Sequence, residues 1–121
     1  MLFIRTDGNA EIGTGHIMRC LSIADAVKKR GGAATFVIAD DSMESMLSER
    51  GYDVVCLHSD WDNMEAEIDK MVSLIETHSV NKLLIDGYFV TSEYLRKLRE
   101  LTHVIYMDDL DWTLSIIHAT C

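Results

Sequence analysis

Short apolar runs alternate along the chain with segments in which apolar residues recur every three or four positions. The runs are continuous rather than interrupted by polar residues, which is typical of strands buried on both faces of a sheet. They predict strands at residues 1–6, 34–39, 53–57, 82–85 and 103–107. The segments between them have the apolar spacing of amphipathic helices, which we predict at residues 16–30, 42–50, 62–78 and 91–101.

This alternation predicts an α/β fold, a Rossmann-like parallel sheet with helices on both faces. In such sheets ligands bind beyond the carboxyl ends of the strands, at the topological switch point. We therefore expect functional residues in the loops that follow the strands, at residues 7–15, 40–42, 58–62, 86–90 and 108–111. The last residues predict a turn and then a sixth strand around residues 114–117.

Composition limits the size of the protein and its classes of partner. The chain has 121 residues, of which 48% are apolar, and this suits one compact domain. Its net charge of -9 predicts repulsion from nucleic acids and from anionic membrane surfaces. No apolar run approaches the roughly 20 residues of a membrane-spanning helix. The first residues have the pattern of a strand rather than of a signal peptide.

Three cysteines, Cys20, Cys56 and Cys121, lie far apart in the sequence. This pattern is neither a disulfide framework nor a zinc motif, and it predicts two buried thiols and one at the chain end. Cys20 follows His16 by four positions, which suits a metal pair, but it also fits the apolar stripe of its helix, which favours a core role. We predict no metal and no cofactor. Scattered thiols without an export signal indicate the cytoplasm.

A glycine-containing loop separates the first strand from the first helix. Gly13 and Gly15 can adopt backbone angles that are closed to other residues, and they let a ligand approach the main chain. The start of the next helix offers free N–H groups and a partial positive charge, which suit a phosphate or a developing anion. The loop matches neither the Rossmann fingerprint, because Met18 occupies the third glycine position, nor a Walker A motif.

His16 is the main candidate for a catalytic group. In the first helical turn the helix dipole disfavours imidazolium, so we expect a neutral ring that can accept a proton as general base. The alternative is a histidine that packs on the loop or donates to a backbone carbonyl. Arg19, one turn later, is expected either to contact phosphate or to pair with a surface acid. Asp86, at the end of the fourth strand, is either an active-site carboxylate or a cap of the next turn.

Three stretches of the chain, in a fixed order, follow a recognisable pattern. They are Phe3-Ile4-Arg5-Thr6-Asp7 with Ile12-Gly13-Thr14-Gly15-His16-Ile17-Met18-Arg19-Cys20-Leu21, then Leu84-Ile85-Asp86-Gly87-Tyr88, then Tyr106-Met107-Asp108-Asp109-Leu110. The pattern resembles the pseudaminic-acid pathway UDP-sugar hydrolases, which act on UDP-2,4-diacetamido-2,4,6-trideoxy-β-L-altropyranose. Their relatives include glycosyltransferases of spore-coat and surface polysaccharide synthesis. The resemblance covers essentially the whole chain, and its first stretch is the most specific.

The resemblance implies a glycosyltransferase B-type architecture, in which one Rossmann-like half binds the sugar and the other binds most of the nucleotide. It implies that His16 is catalytic and that Tyr88 is its active-site partner. The implied reaction is hydrolysis at the anomeric carbon of the UDP-sugar, which releases UDP and the free sugar without a metal or a cofactor. The substrate-binding set on this interpretation is Arg5 and Asp7, which shape the glycine loop, together with Gly13, Thr14, Gly15, Arg19 and Asp86.

The chain also departs from the family pattern. Gly87 stands where the family has a histidine, so local sugar contacts are expected to differ. The nucleotide-binding C-terminal half is absent from this chain, so residues 1–121 are expected to be an N-terminal domain that is inactive alone and self-associates through an exposed apolar face. Glycosyl transfer to a sugar hydroxyl and a non-catalytic binding domain stay open. Asp108 and Asp109 suit a divalent ion, a structural turn or a substrate or interface role.

Overall fold

The computed structural model of the chain describes residues 1–107. Within these residues the strands are β1 (Leu2–Thr6), β2 (Ala34–Ile38), β3 (Asp53–Cys56), β4 (Lys82–Asp86) and β5 (His103–Tyr106). The helices are α1 (Gly15–Lys29), α2 (Glu44–Glu49), α3 (Ile68–His78) and α4 (Ser92–Arg99), and one turn of 3₁₀ helix, Glu65–Glu67, precedes α3.

The described strands form one parallel sheet in the order β3-β2-β1-β4-β5. The predicted α/β, Rossmann-like parallel sheet is therefore confirmed. The chain moves outward from β1 through β2 to β3 and then crosses to β4 on the other side of β1. The crevice between the ends of β1 and β4 is thus the topological switch point. The register pairs Thr6 with Asp86 at this end of the sheet.

Helices cover both faces because the buried strand residues alternate between two apolar clusters. Even-numbered β1 residues such as Ile4 pack with Ile17 and Leu21 of α1 and with Leu47 of α2. Odd-numbered ones pack against α3 and α4 on the other face, where the cluster includes Phe3, Met71, Leu83, Tyr94 and Leu98. Arg5 has the odd parity, so its side chain enters the second face although it is charged.

Most predicted boundaries agree with the structure to within two residues, and one helix begins late. The helix predicted over 62–78 starts at Ile68, because the chain first makes the 3₁₀ turn that directs Glu67 inward, where it is fully buried. Thr91, one of the two residues that the sequence offers as a cap beside Ser92, is the N-cap of α4, and its hydroxyl accepts a hydrogen bond from the Tyr94 amide at 3.2 Å. The expected sixth strand around 114–117 and the loop at 108–111 lie outside the described residues.

Two further expectations concern the cysteines and membranes. Cys20 is buried as predicted, whereas Cys56 is only half-buried, because β3 is an edge strand; both are free thiols. Cys121 lies outside the described residues. None of the helices within residues 1–107 has the length and apolar character that crossing a bilayer requires.

Candidate functional site

The loop at residues 7–14 is a tight, self-bonded turn. Asn9 and Gly13 form an antiparallel bridge, with backbone hydrogen bonds of 3.2 and 2.9 Å. The Asn9 side-chain oxygen accepts from the amides of Glu11 and Ile12 at 2.9 and 3.0 Å. Gly13 has φ 77°, in the left-handed region where a side chain is strained. These contacts fix the loop that leads into α1.

The N-terminus of α1 faces open space beside this loop. Thr14 is the N-cap residue of α1, and in the described part of the chain its side chain makes no capping hydrogen bond. The first turn of α1 contains no acidic residue. A Cβ placed on Gly15 would meet nothing within 4 Å. Helix N-termini leave amides without intrahelical partners, so this open end suits an anionic ligand group.

His16 lies in the first turn of α1 and faces the carboxyl end of β4. Its Nδ1 lies 2.5 Å from Oδ1 of Asp86, a residue that is 1% exposed, while the His16 side chain is 14% exposed. An ionised carboxylate only accepts hydrogen bonds, so this contact places a proton on Nδ1. In the neutral ring the other nitrogen, Nε2, is then the acceptor. The pair therefore has the geometry of a carboxylate-oriented general base.

Arg19 fixes the carboxylate of Asp86, and Asp86 in turn orients His16. Its Nε donates to Asp86 Oδ2 at 2.7 Å and its Nη2 donates to Oδ1 at 2.6 Å, a two-point ion pair. The Cys20 thiol also donates to Oδ2, at 3.5 Å. Burial, and next the Asp86 charge, raise the pKa of Cys20, so this thiol stays protonated. Arg19 therefore pairs with an acid, but that acid is buried and is not the surface partner predicted; the predicted phosphate contact stays a prediction.

Tyr88 packs against the His16 ring in a T-shaped contact. The two ring centroids are 4.1 Å apart and the planes are nearly perpendicular, at 87°. Tyr88 is 64% exposed, so its hydroxyl is available to a bound molecule. At Gly87, a Cβ would lie 3.7 Å from both Met64 Sδ and Val90 Cγ2. Met64 and Val90 therefore lie next to position 87, where the resemblance predicts a histidine.

Arg5 and Asp7 lie apart from this cluster. Arg5 is fully buried, and it makes two hydrogen bonds of 2.7 Å to Glu67 and one of 2.8 Å to Asp7. The predicted substrate contact by Arg5 is therefore not provided in this structure, because its side chain enters the α3–α4 face of the sheet. Tyr94 and Ser59 also donate to Glu67, at 2.7 and 3.2 Å.

Asp7 links this buried network to the glycine loop. One oxygen accepts from Arg5 and the other accepts from the Ala39 amide at 2.8 Å, which ties the end of β1 to the end of β2. Burial raises the pKa of Asp7, and Arg5 opposes that shift. These contacts fix the residue at which the loop begins, and the implied role of Arg5 and Asp7 in shaping the glycine loop stays a prediction.

The sequence did not reveal Glu67 or the aromatic residue Trp61, whose ring contacts Phe89 beside the site. Glu67 was signalled indirectly, because an arginine inside a buried strand requires an acidic partner. Within residues 1–107 no group of three or more His, Cys, Asp or Glu side chains is placed to hold a metal ion. A cavity of about 210 Å³ lies at the opposite end of the sheet, where the residues that line it include Leu2 and Lys82. His16 does not line this cavity.

The fold and the site together define a class of protein: a Rossmann-like α/β domain with a histidine–aspartate pair at its topological switch point. Comparisons with protein-family models, with curated proteins and with solved structures found no match. The functional conclusion therefore depends on the chemistry of His16, Asp86, Arg19 and Tyr88 and on the motifs that contain them.

Proposed function

We propose that this chain supplies the sugar-binding and catalytic domain of an enzyme that hydrolyses a UDP-linked 2,4-diacetamido-trideoxy sugar at its anomeric carbon. The products are UDP and the free sugar, which serves nonulosonic (pseudaminic) acid or surface polysaccharide synthesis. The observation that carries the proposal is the 2.5 Å contact between His16 Nδ1 and Asp86 at the β1–β4 crevice. This contact orients His16 as a general base at the position where Rossmann-like sheets bind ligands.

The chemistry needs an activated water more than an acid, because UDP is a good leaving group. Water donates a proton to His16 Nε2 as its oxygen bonds to the anomeric carbon. The bond between that carbon and the phosphate oxygen breaks, and its electron pair leaves with UDP. Asp86 keeps Nδ1 protonated and stabilises the imidazolium that forms, which is the function of the carboxylate in histidine-based hydrolases.

The neighbouring groups fit the same step. Arg19 fixes both oxygens of Asp86, so the carboxylate cannot rotate away from His16. The Tyr88 ring packs against His16, and because Tyr88 is mostly exposed, we assign its hydroxyl to orienting water or a sugar hydroxyl. The open N-terminus of α1, next to Gly13, Thr14 and Gly15, suits the diphosphate.

The proposal includes a two-domain, glycosyltransferase B-type arrangement in the cytoplasm. A second Rossmann-like domain would bind most of the nucleotide and close over the crevice. The crevice at the carboxyl edge of the sheet is the surface that such a domain would face, since His16 and Tyr88 lie there. This arrangement predicts that residues 1–121 bind the sugar but release UDP slowly or not at all.

The test is UDP release from UDP-2,4-diacetamido-2,4,6-trideoxy-β-L-altropyranose by the longest native polypeptide that contains this sequence. His16→Ala should lower kcat about 10²–10⁴-fold, as expected for loss of a general base. His103→Ala is the matched control, because His103 is exposed at the start of β5, at the opposite end of the strands. Tyr88→Phe should keep the ring contact and reveal the contribution of the hydroxyl.

The outcomes separate the alternatives. UDP release that His16→Ala abolishes and His103→Ala leaves unchanged supports the hydrolase. Release that requires an added acceptor sugar would replace hydrolysis with glycosyl transfer. Full turnover by His16→Ala would reject the catalytic assignment and leave His16 a structural residue of the loop.

A further inference from the structure

The aromatic contacts at the crevice continue beyond the catalytic pair. Tyr88 and Phe89 are consecutive residues, 64% and 42% exposed. Tyr88 contacts His16, and Phe89 contacts Trp61, with ring centroids 5.6 Å apart and planes at 57°. Because one of these neighbours contacts a ring on α1 and the other contacts a ring on the loop after β3, the segment after β4 joins His16 to Trp61 in one aromatic rim.

The loop that carries Trp61 is held against the carboxyl edge of the sheet. The Ser59 amide donates to the Ala39 carbonyl at 2.9 Å, and Lys70 Nζ donates to the carbonyls of Leu57 and His58, both at 2.9 Å. Further along, Met64 is buried beside Gly87. With both ends anchored, the ring of Trp61 is placed in advance, which lowers the entropic cost of binding a ligand there.

Charge indicates which part of a nucleotide-sugar this rim accepts. Asp60 and Asp62 flank Trp61 and are exposed, so they repel a diphosphate. The α1 N-terminus, where His16 itself lies and where the first turn contains no acid, carries the partial positive charge instead. A substrate whose anomeric carbon lies at His16 therefore has its diphosphate toward α1 and its sugar substituents toward Trp61 and Phe89.

We propose that Trp61 and Phe89 form a subsite for the apolar substituents of the sugar, namely the acetamido methyl groups and the C6 methyl. This inference rests on the proposed function, since it assigns a sugar to the crevice. Aromatic side chains offer broad apolar surface to a ligand, and a few polar groups then fix its orientation. The subsite favours diacetamido-trideoxy sugars over sugars with free hydroxyl groups at C4 and C6.

The experiment measures binding of three probes to the longest native polypeptide that contains this sequence, by calorimetry: free 2,4-diacetamido-2,4,6-trideoxy-L-altrose, N-acetylglucosamine and UDP. Phe89→Ala and Trp61→Ala should each raise the Kd of the trideoxy sugar about tenfold, the equivalent of one lost aromatic contact. The Kd of UDP should stay unchanged, and the preference over N-acetylglucosamine should fall. Phe89→Tyr, which keeps the ring, should bind like the unmodified chain.

Leu101→Ala is the matched control, since Leu101 is 40% exposed just before β5, at the opposite end of the strands. It should change none of the three Kd values. Equal weakening of sugar and UDP by Phe89→Ala, or no change in either, would overturn the subsite. So would sedimentation showing that Phe89→Ala dissociates a dimer, because the rim would then be a contact between copies.

The experiments can reject the hydrolase or the aromatic subsite without rejecting the other. Sugar binding that depends on Trp61, in a native polypeptide that releases no UDP, would keep the subsite and reject the hydrolase. UDP release that depends on His16, with a KM unaffected by Phe89→Ala, would keep the hydrolase and reject the subsite.

Discussion

Asp86 accepts a 2.5 Å hydrogen bond from His16 although 70 positions separate them in the sequence. The contact exists because β1 and β4 are parallel neighbours, with Thr6 in register with Asp86. The helix that follows β1 therefore begins beside the end of β4. The same adjacency lets Arg19, one helical turn later, reach the same carboxylate. Strand order thus assembles the site from two distant motifs.

Asp86→Asn should lower kcat for UDP release about 10²–10⁴-fold, because the amide no longer fixes the His16 tautomer that accepts a proton at Nε2. KM should change little if the 1% exposed Asp86 acts through His16, whereas a large rise in KM would support the substrate-binding role that the resemblance implies. Steady-state kinetics of the native polypeptide measure both constants, and thermal unfolding checks that the variant is folded.

Arg19→Gln is the companion variant to Asp86→Asn. It removes the two hydrogen bonds that fix the carboxylate but leaves His16 and Asp86 in place. A smaller loss of kcat than for Asp86→Asn is expected, because Arg19 acts through Asp86. A normal kcat in Asp86→Asn would reject the pair as the source of the base.

The sequence predicted the strands well because strands of a buried parallel sheet are continuous apolar runs. It singled out Asp86 at the end of a strand and His16 at the start of a helix, where ligands bind in an α/β fold, whereas Tyr88 was singled out by the family resemblance alone. It did not predict that Asp86 holds His16, since that requires the strand order, which apolar spacing does not determine. The burial of Glu67 was missed although Glu67 precedes Met71 by four positions on the apolar face of the predicted helix, because a charged residue is expected to face solvent and its burial depends on Arg5 across the fold.

The buried pair of Arg5 and Glu67 should be important for stability. Glu67→Leu is expected to lower the free energy of unfolding by about 3–5 kcal/mol, because it leaves a fully buried guanidinium without its main partner. Arg5→Met should lower the free energy of unfolding by a similar amount, because it leaves the buried Glu67 carboxylate without its main partner. The double variant should cost less than the sum of the two single changes. Urea unfolding of the four proteins measures this cycle.

Arg96→Ala is the control for that cycle. Arg96 pairs with Glu93 on the exposed surface of α4, where solvent and salt screen the interaction. The free energy of unfolding should stay nearly unchanged. Simple additivity of Arg5→Met and Glu67→Leu would contradict a direct buried pair.

Cys20 should make the protein less stable as the solution becomes alkaline. Burial and Asp86 raise the pKa of Cys20 above its ordinary value of 9.0, so the folded state keeps a proton that the unfolded chain loses. Stability from this group is therefore full below pH 9.0 and declines as pH rises. The decline should reach about 1.4 kcal/mol by about pH 10.

Cys20→Ala separates this effect from other alkaline transitions. Burial also raises the pKa of Tyr94, and burial together with Asp25 raises that of Tyr52 to about 12, so both tyrosines act in the same direction at higher pH. The Cys20→Ala variant should show a shallower fall in urea stability between about pH 8 and about pH 10. Identical slopes, or rapid alkylation of Cys20 in the folded protein, would contradict the assignment.

The two glycines that flank Thr14 should respond oppositely to alanine. Gly13→Ala is expected to lower the free energy of unfolding by about 1–2 kcal/mol, because φ 77° is strained for any L side chain. Nothing lies within 4 Å of its added Cβ, so the cost is conformational and not a clash. Gly15→Ala lies in α1 with equally open space, and it should stabilise the fold by up to about 1 kcal/mol.

Activity should rank the two glycine variants differently from stability: the more stable Gly15→Ala protein should be the one with the higher KM. If the diphosphate approaches the main chain at the start of α1, the methyl group in Gly15→Ala raises KM for the UDP-sugar in a protein that is more stable than the original. Gly13→Ala should lose activity only in proportion to its lost stability, and a lower assay temperature should restore it. A Gly15→Ala protein with unchanged KM would show that the diphosphate binds elsewhere, since that substitution leaves the His16–Asp86 contact intact.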